Sequence, residues 1–248
     1  MIYNSEALIL SSRPYSETSI ICNLFTKEYG RLSIISKGAR TLKNPNRAIL
    51  QPLQFIDLHY YYKPKRNIQL LKEATINTHF FNISNNYKKI IYSFNIIDIT
   101  NQICTIDNPN KIIFRLVKKV LNKINNCQNQ EIDLYYTFFQ LQLLRYLGLQ
   151  PLIDNCSICS KVLYDAAYDK SIGQLVCKKC YENTTNMLSL TNNEIKILKY
   201  LSNTHINSLI DSITIKEKTF EIIKQYLLYY ISYHIINIKN MKSTKFIE

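Results

Sequence analysis

The sequence is short of glycine, tryptophan and acid. Only four of its 248 residues are Gly and none is Trp. No glycine-rich phosphate loop is present, and neither G-x-S-x-G nor H-E-x-x-H occurs. No pair of carboxylates stands out to replace them, so nothing in the chain argues for an enzyme. Long apolar runs are missing too. The most apolar late stretch, residues 226–238, is too short to span a bilayer and carries His234. Residues 1–12 lack the basic start and apolar run of a secretory signal. Seven Cys is an odd number, which argues against a closed disulfide framework. A secreted oxidised protein and an integral membrane protein are therefore disfavoured, and the expected compartment is the cytoplasm. No internal repeat occurs at solenoid spacing.

The shortage of acid has a different consequence. Eighteen Asp and Glu face 31 Lys and Arg, a formal net charge of +13. A chain this basic commonly meets phosphate, on nucleic acid or on a membrane surface. Hydrophobic residues make up 46%, enough for packed cores, and the length suits one large domain or several small ones. The excess of Ile, Asn, Lys and Tyr reads as a coding bias, so many Lys and Asn are surface filler.

Periodicity changes along the chain. Residues 6–11, 18–25, 31–36, 53–62 and 68–72 read as short strands separated by Gly30, Gly38 and several Pro. In the fourth, Ile56, Leu58 and Tyr60 share one face and Asp57 and His59 the other. Five short strands in so little chain suit a small closed barrel, because closure removes exposed edges. From about residue 82 the period moves to 3.6. Within 111–125, Ile113, Leu116, Val117, Val120, Leu121 and Ile124 form a stripe, while Lys111, Arg115, Lys118 and Lys119 lie off it on a solvated face. A second helix over 134–147 stops at Gly148, with Pro151 beyond. Thr191 and Glu194 form a capping box, and 219–239 predicts a long helix buried on all sides.

The strongest chemical pattern is Cys156-x2-Cys159-x17-Cys177-x2-Cys180. Two residues between ligands let one tight turn present two sulfurs to the same ion, and two such turns complete a tetrahedron. The spacing predicts one Zn²⁺ in a closed, structural site. Two disulfides, a redox CxxC or four unrelated thiols are alternatives, but chance doubling of CxxC at this separation is improbable, and a redox pair needs only one CxxC, near a βαβ pattern that is missing here. Cys22, Cys104 and Cys127 fall on or near apolar stretches and read as core or surface residues. The four His show no metal spacing.

The second pattern is basic. Residues 37–47 read KGARTLKNPNR, with Lys37, Arg40, Lys43, Arg47 and no acid. Arg13, Lys27 and Arg31 precede them, and Lys63, Lys65 and Arg66 follow in a second cluster. Tyr15, Phe25, Tyr29, Tyr61 and Tyr62 are interleaved. Cations that track phosphates beside aromatic faces that stack on bases would hold an unpaired strand. Solvated loops around core aromatics would leave the same pattern. An RNA-binding or translation-associated protein, and a zinc-stabilised scaffold whose charge only keeps it soluble, also remain open.

Several strings occur in order: Glu6-Ala7-Leu8-Ile9-Leu10, Arg13-Pro14-Tyr15-Ser16-Glu17-Thr18, Leu24-Phe25-Thr26-Lys27-Glu28-Tyr29-Gly30-Arg31-Leu32, Lys37-Gly38-Ala39-Arg40 and Leu50-Gln51-Pro52-Leu53. With the Leu-Gly-Leu-x-Pro turn at 147–151, the four-cysteine insert and Lys242-Ser243, they resemble the zinc-bearing branch of the bacterial RecO family, the DNA repair and recombination mediators. The resemblance implies an α+β, multi-domain protein. An oligonucleotide-binding (OB-fold) β-barrel at 1–80 would precede a helical domain at 81–150 and 186–248, interrupted by a zinc-ribbon-like module of four cysteines at 151–185. It implies a non-enzymatic, nucleoid-associated mediator that binds single- and double-stranded DNA. With RecR it would exchange the single-strand coating protein SSB for RecA, anneal complementary strands, and take the acidic C-terminal tail of SSB. Arg13, Lys37, Arg40 and Arg47 become the leading DNA contacts, and Tyr15 and Phe25 barrel-packing residues. The chain departs from the family at Gly173-Gln174, where two Gly are common, and in its less Arg-rich 238–242.

Overall fold

A computed structural model describes residues 1–106, 108–181, 187–209 and 217–235. The chain forms two compact units, one spanning Met1–Asn126 and the other beginning at Cys127.

The first unit opens with β1 (Ile2–Tyr15), β2 (Ser19–Thr26), β3 (Gly30–Ser36), α1 (Asn46–Ile49), β4 (Phe55–Tyr61) and β5 (Ile68–Thr78). They close into a barrel in the order β1-β2-β3-β5-β4. Closure depends on β1. Its first half pairs with β4, from Ile2↔Tyr61 to Leu8↔Phe55, and its second half with β2, as far as Tyr15↔Ser19. The register shifts between Ile9 and Ser11, and such a bulge bends a strand enough to serve two edges. β3 and β5 complete the ring as its parallel pair. This is OB-fold topology. Ala7, Ile9, Leu24, Ile34, Ile56, Leu58 and Tyr60 fill the interior. β1 and β5 run longer than their hydrophobic pattern predicts. Polar outward residues such as Asn4, Lys72 and Glu73 dilute the alternation without affecting the ladder bonds.

Three helices follow: α2 (Phe81–Ser84), α3 (Tyr87–Ile103) and α4 (Lys111–Asn126). The expected stripe of α4 is buried, but so is Phe114, which lies outside it. Its ring sits 5.5 Å from Phe25 and 5.6 Å from Phe55, so one aromatic fastens the helix to the barrel. Lys118 was expected to face solvent. It instead ion-pairs with Glu6 of β1 and donates to Asn77 Oδ1 at 2.9 Å. α3 has no clean stripe because its apolar residues encircle it.

The second unit contains α5 (Ile132–Tyr146), β6 (Ala166–Asp169), β7 (Gln174–Cys177), α6 (Lys178–Tyr181), β8 (Met187–Leu190), α7 (Asn192–Asn203) and α8 (Glu217–His234). β7, β6 and β8 form one antiparallel sheet in that order. α5 ends as predicted. Gly148 is left-handed at φ +72°, its N–H donates to Arg145, and Leu149 N–H donates to Leu144 at 2.8 Å. The capping box also forms, with Thr191 N–H donating to the Glu194 carboxylate at 2.8 Å. The helix buried on all sides is α5, not α8: every residue from Ile132 through Leu144 is buried. α8 buries only Phe220, Ile223, Tyr226, Leu227, Tyr230, Ile231 and Thr219. Glu217, Lys218, Glu221 and Gln225 give α8 a wet side, whereas α5 carries few charges. The predicted extension of this helix to Lys239, and the Lys242-Ser243 string, lie outside the described residues.

Candidate metal centre and nucleic-acid interface

Two turns bring the four cysteines together. In the first, Cys156 N–H donates to Lys161 at 2.8 Å and Ser160 N–H donates back to Cys156 at 2.9 Å. Cys177 ends β7, and Cys180 follows in the single turn of α6. The four Sγ atoms all lie within 4.8 Å of one another, with Cys159 and Cys177 at 3.6 Å. A tetrahedron with metal–sulfur bonds of about 2.3 Å has edges of about 3.8 Å, so these sulfurs could hold one metal ion. The surroundings favour thiolate at Cys156. Burial opposes ionisation of Cys156, yet hydrogen bonds from the Cys159, Cys177 and Ile158 backbones outweigh it and bring the thiol down to about 6. One of these is Cys177 N–H donating to Cys156 Sγ at 3.3 Å. Cys180 moves the other way, up to about 12, because its S–H donates to Cys159 and Cys177 and so favours the thiol over the thiolate. Four sulfurs fill a tetrahedral shell, leaving no position for water or substrate.

The β6–β7 turn, at the other end of that hairpin from Cys177, is held by α8. Gly173 sits at φ +68°, and a Cβ there would lie 2.3 Å from the Tyr233 ring. Tyr233 donates to the Ser171 carbonyl at 3.3 Å. Cys22 and Cys104 belong to the first unit and not to the cluster, and burial pushes their thiols up to about 11 and about 12.

The cations of the barrel separate into two sets. Lys37, Arg40, Lys43 and Arg47 are all exposed in the segment joining β3 to α1 and in α1 itself. That segment is tied to the β1–β2 turn, where Arg40 N–H donates to Thr18 at 2.8 Å and Arg40 Nη1 to Ser16 at 3.2 Å. Arg13 is exposed on the same hairpin. Lys43 and Arg47 line a depression of about 500 Å³ with Leu42 and Gln51. The other set belongs to a cavity of about 630 Å³ lined by Tyr3, Tyr29, Arg31, Tyr62, Arg66 and Asn67, among others. Lys63 and Lys65 are exposed on the same β4–β5 loop as Arg66. The two hollows share no residue.

Besides Arg40, two expected contacts are engaged within the protein. Lys27 pairs with Glu6 at 3.9 Å and Glu28 at 4.0 Å. Arg31 lines the cavity, but its Nη1 donates to the Asn101 carbonyl at 3.0 Å. Phe25 is fully buried, in keeping with a packing role, whereas Tyr15 is 52% exposed and packs no barrel interior. Tyr3 lay outside the expected strand, so alternation gave no signal for it. Its ring stacks between Tyr29, at 5.2 Å, and Tyr62, at 4.7 Å.

The profile described as Recombination protein O N terminal matches residues 1–80, and Recombination protein O C terminal matches 84–244. The chain belongs to the RecO family. Among relatives named DNA repair protein RecO, that of Thermodesulfovibrio yellowstonii is 28% identical over 232 residues, covering 92% of this chain and 91% of its own. That of Salinibacter ruber is 31% identical over 157 residues, covering 63% and 60%. That of Exiguobacterium sibiricum is 26% identical over 225 residues, covering 91% and 88%. RecO membership places the chain in DNA repair and recombination. No described helix is long and apolar enough to cross a membrane.

Proposed function

We propose that this RecO-family chain is a non-enzymatic recombination mediator whose barrel binds DNA through phosphate contacts and whose cysteines hold one structural Zn²⁺. The observation that carries the reading is the acid-free run of exposed Lys37, Arg40, Lys43 and Arg47 against the β1–β2 turn. Arg13 on that hairpin, and Lys63, Lys65 and Arg66 on the β4–β5 loop, add to it. Lys27 and Arg31 serve only as far as their internal partners release them. Phosphate contacts carry little base information and release counterions, so binding should accept single and double strands.

In this reading 1–80 is the binding barrel, 81–150 with 186–248 the helical domain, and 151–185 the metal module. RecR and the acidic SSB tail are the partners, and the barrel takes over strands that SSB coats for transfer to RecA or for annealing. Such work belongs in the cytoplasm, on the nucleoid. Four sulfur ligands of this spacing suit Zn²⁺, which would brace the module and take no part in a reaction.

The test is a salt titration of single-strand binding. The logarithm of affinity should fall by about 0.7 per tenfold rise in salt for each phosphate neutralised. Arg40→Glu and Arg47→Glu should weaken binding to all sequences alike and flatten that slope. Annealing of SSB-coated complementary strands, with and without RecR, tests the mediator role. Unchanged affinity of both variants at low salt would refute the phosphate assignment.

A further inference from the structure

The cavity on the barrel contains more than charge. Tyr29, Tyr3 and Tyr62 form a column of near-parallel rings, tilted by 10° and 12° at successive steps. Buried Tyr60 braces it edge-on, 5.9 Å from Tyr3 and 6.2 Å from Tyr29. Among the described residues Tyr3 is sandwiched between two rings, whereas Tyr29 and Tyr62, the ends of the column, each stack on one. Flat faces like these bind flat aromatic ligands by offset stacking.

The cavity is also rigidly built. Gln69, only 7% exposed, accepts from Lys63 N–H at 2.9 Å and donates to the Lys63 carbonyl at 3.2 Å and the Arg66 carbonyl at 2.7 Å. One buried amide thus fixes the β4–β5 loop, placing Tyr62 and Arg66 before any ligand arrives. The volume of about 630 Å³ lies within the usual range for a small-ligand site. Among the lining groups Arg31 and Arg66 face one acid, Glu28, which already accepts from Ser5 Oγ at 2.5 Å and pairs with Lys27. The remaining balance is cationic.

We propose that this cavity seats a single base of an unpaired DNA strand, stacked on an end face of the tyrosine column, with Arg66 and the adjacent Lys63 and Lys65 holding the flanking phosphates. The seat rests on the nucleic-acid reading and sharpens it. The run at 37–47 follows phosphates, whereas the cavity takes a base. The column has both ends within one cavity, and the other exposed barrel tyrosines, Tyr15 and Tyr61, do not line it. Stacking is therefore confined to one station, and it should be tolerant of base identity because every base has a π-face.

The experiment measures affinity of the full chain for an oligothymidylate and for an all-abasic oligonucleotide of equal length, at matched salt. The base-bearing strand should bind roughly ten- to a hundredfold more tightly. Tyr62→Ala should abolish most of that ratio, and so should Tyr62→Leu, which keeps bulk without a stacking face. Tyr62→Phe should retain it. Arg40→Glu with Arg47→Glu should weaken both ligands alike and leave the ratio intact. A 2-aminopurine placed in the strand should be quenched by the wild type and by Tyr62→Phe, but not by Tyr62→Leu. Equal, salt-sensitive binding of both strands by the wild type would overturn the base seat while leaving the phosphate reading standing. A ratio unchanged in Tyr62→Leu would overturn it as well. Binding of neither strand would overturn both readings.

Discussion

Phe114→Ala removes the ring that fastens α4 to the barrel. Phe114 is 1% exposed and meets Phe25 at 5.5 Å and Phe55 at 5.6 Å. Truncating a buried Phe costs roughly 3–5 kcal/mol, from lost transfer energy and from the cavity left behind. The pairing with Phe55 is edge-on, at 87°, and contributes about 0.5–1.5 kcal/mol beyond area alone. The stability of a domain is itself only about 5–15 kcal/mol, so the first unit of the variant should be close to its limit. Urea unfolding of the full chain, followed by a probe on the barrel, measures this. With slopes of about 1–3 kcal/mol/M, the midpoint of that transition should drop by roughly 1–5 M. A cycle with Phe55→Ala should show coupling of about 0.5–1.5 kcal/mol, since the two rings touch. A total loss below about 1 kcal/mol would refute the idea that this aromatic contact joins helix and barrel.

Reduced, freshly purified protein should contain one zinc per chain by metal analysis, and chelation should lower its melting temperature; metal-free protein with an unchanged melting curve would contradict the structural assignment. Gly173→Ala should lose about 2 kcal/mol or more, because a left-handed non-glycine residue is strained and the new Cβ meets Tyr233. Adding Tyr233→Ala should recover the steric share but not the backbone share, as thermal melts of the three proteins would show. Lys224→Met should cost roughly 3 kcal/mol in urea titrations, since Asp133, only 4% exposed, loses its 3.0 Å ion pair. A shift within experimental error would show that this pair contributes nothing.

Features that depend on local spacing were legible in the amino-acid order. Two CxxC turns place two sulfurs each by chain geometry alone, and the four sulfurs do meet. Alternation at Ile56, Leu58 and Tyr60, the stripe of α4, the Gly148 stop and the Thr191–Glu194 box are likewise decided within a few residues. The choice of which surfaces meet was left to the folded chain. Lys118 looks solvated along its own helix, and it becomes an ion pair because Glu6, far away in sequence, is brought opposite it. α8 looks apolar all round in composition but exposes its charged side, while α5 takes the centre, since burial depends on the surrounding elements and not on a helix's own residues. Tyr3 carried no signal in a polar strand end, yet ring closure sets it between Tyr29 and Tyr62. The basic run at 37–47 was legible as charge; its place against the β1–β2 turn came from strand pairing. Periodicity records which side of an element is apolar, but partners distant along the chain are chosen by packing.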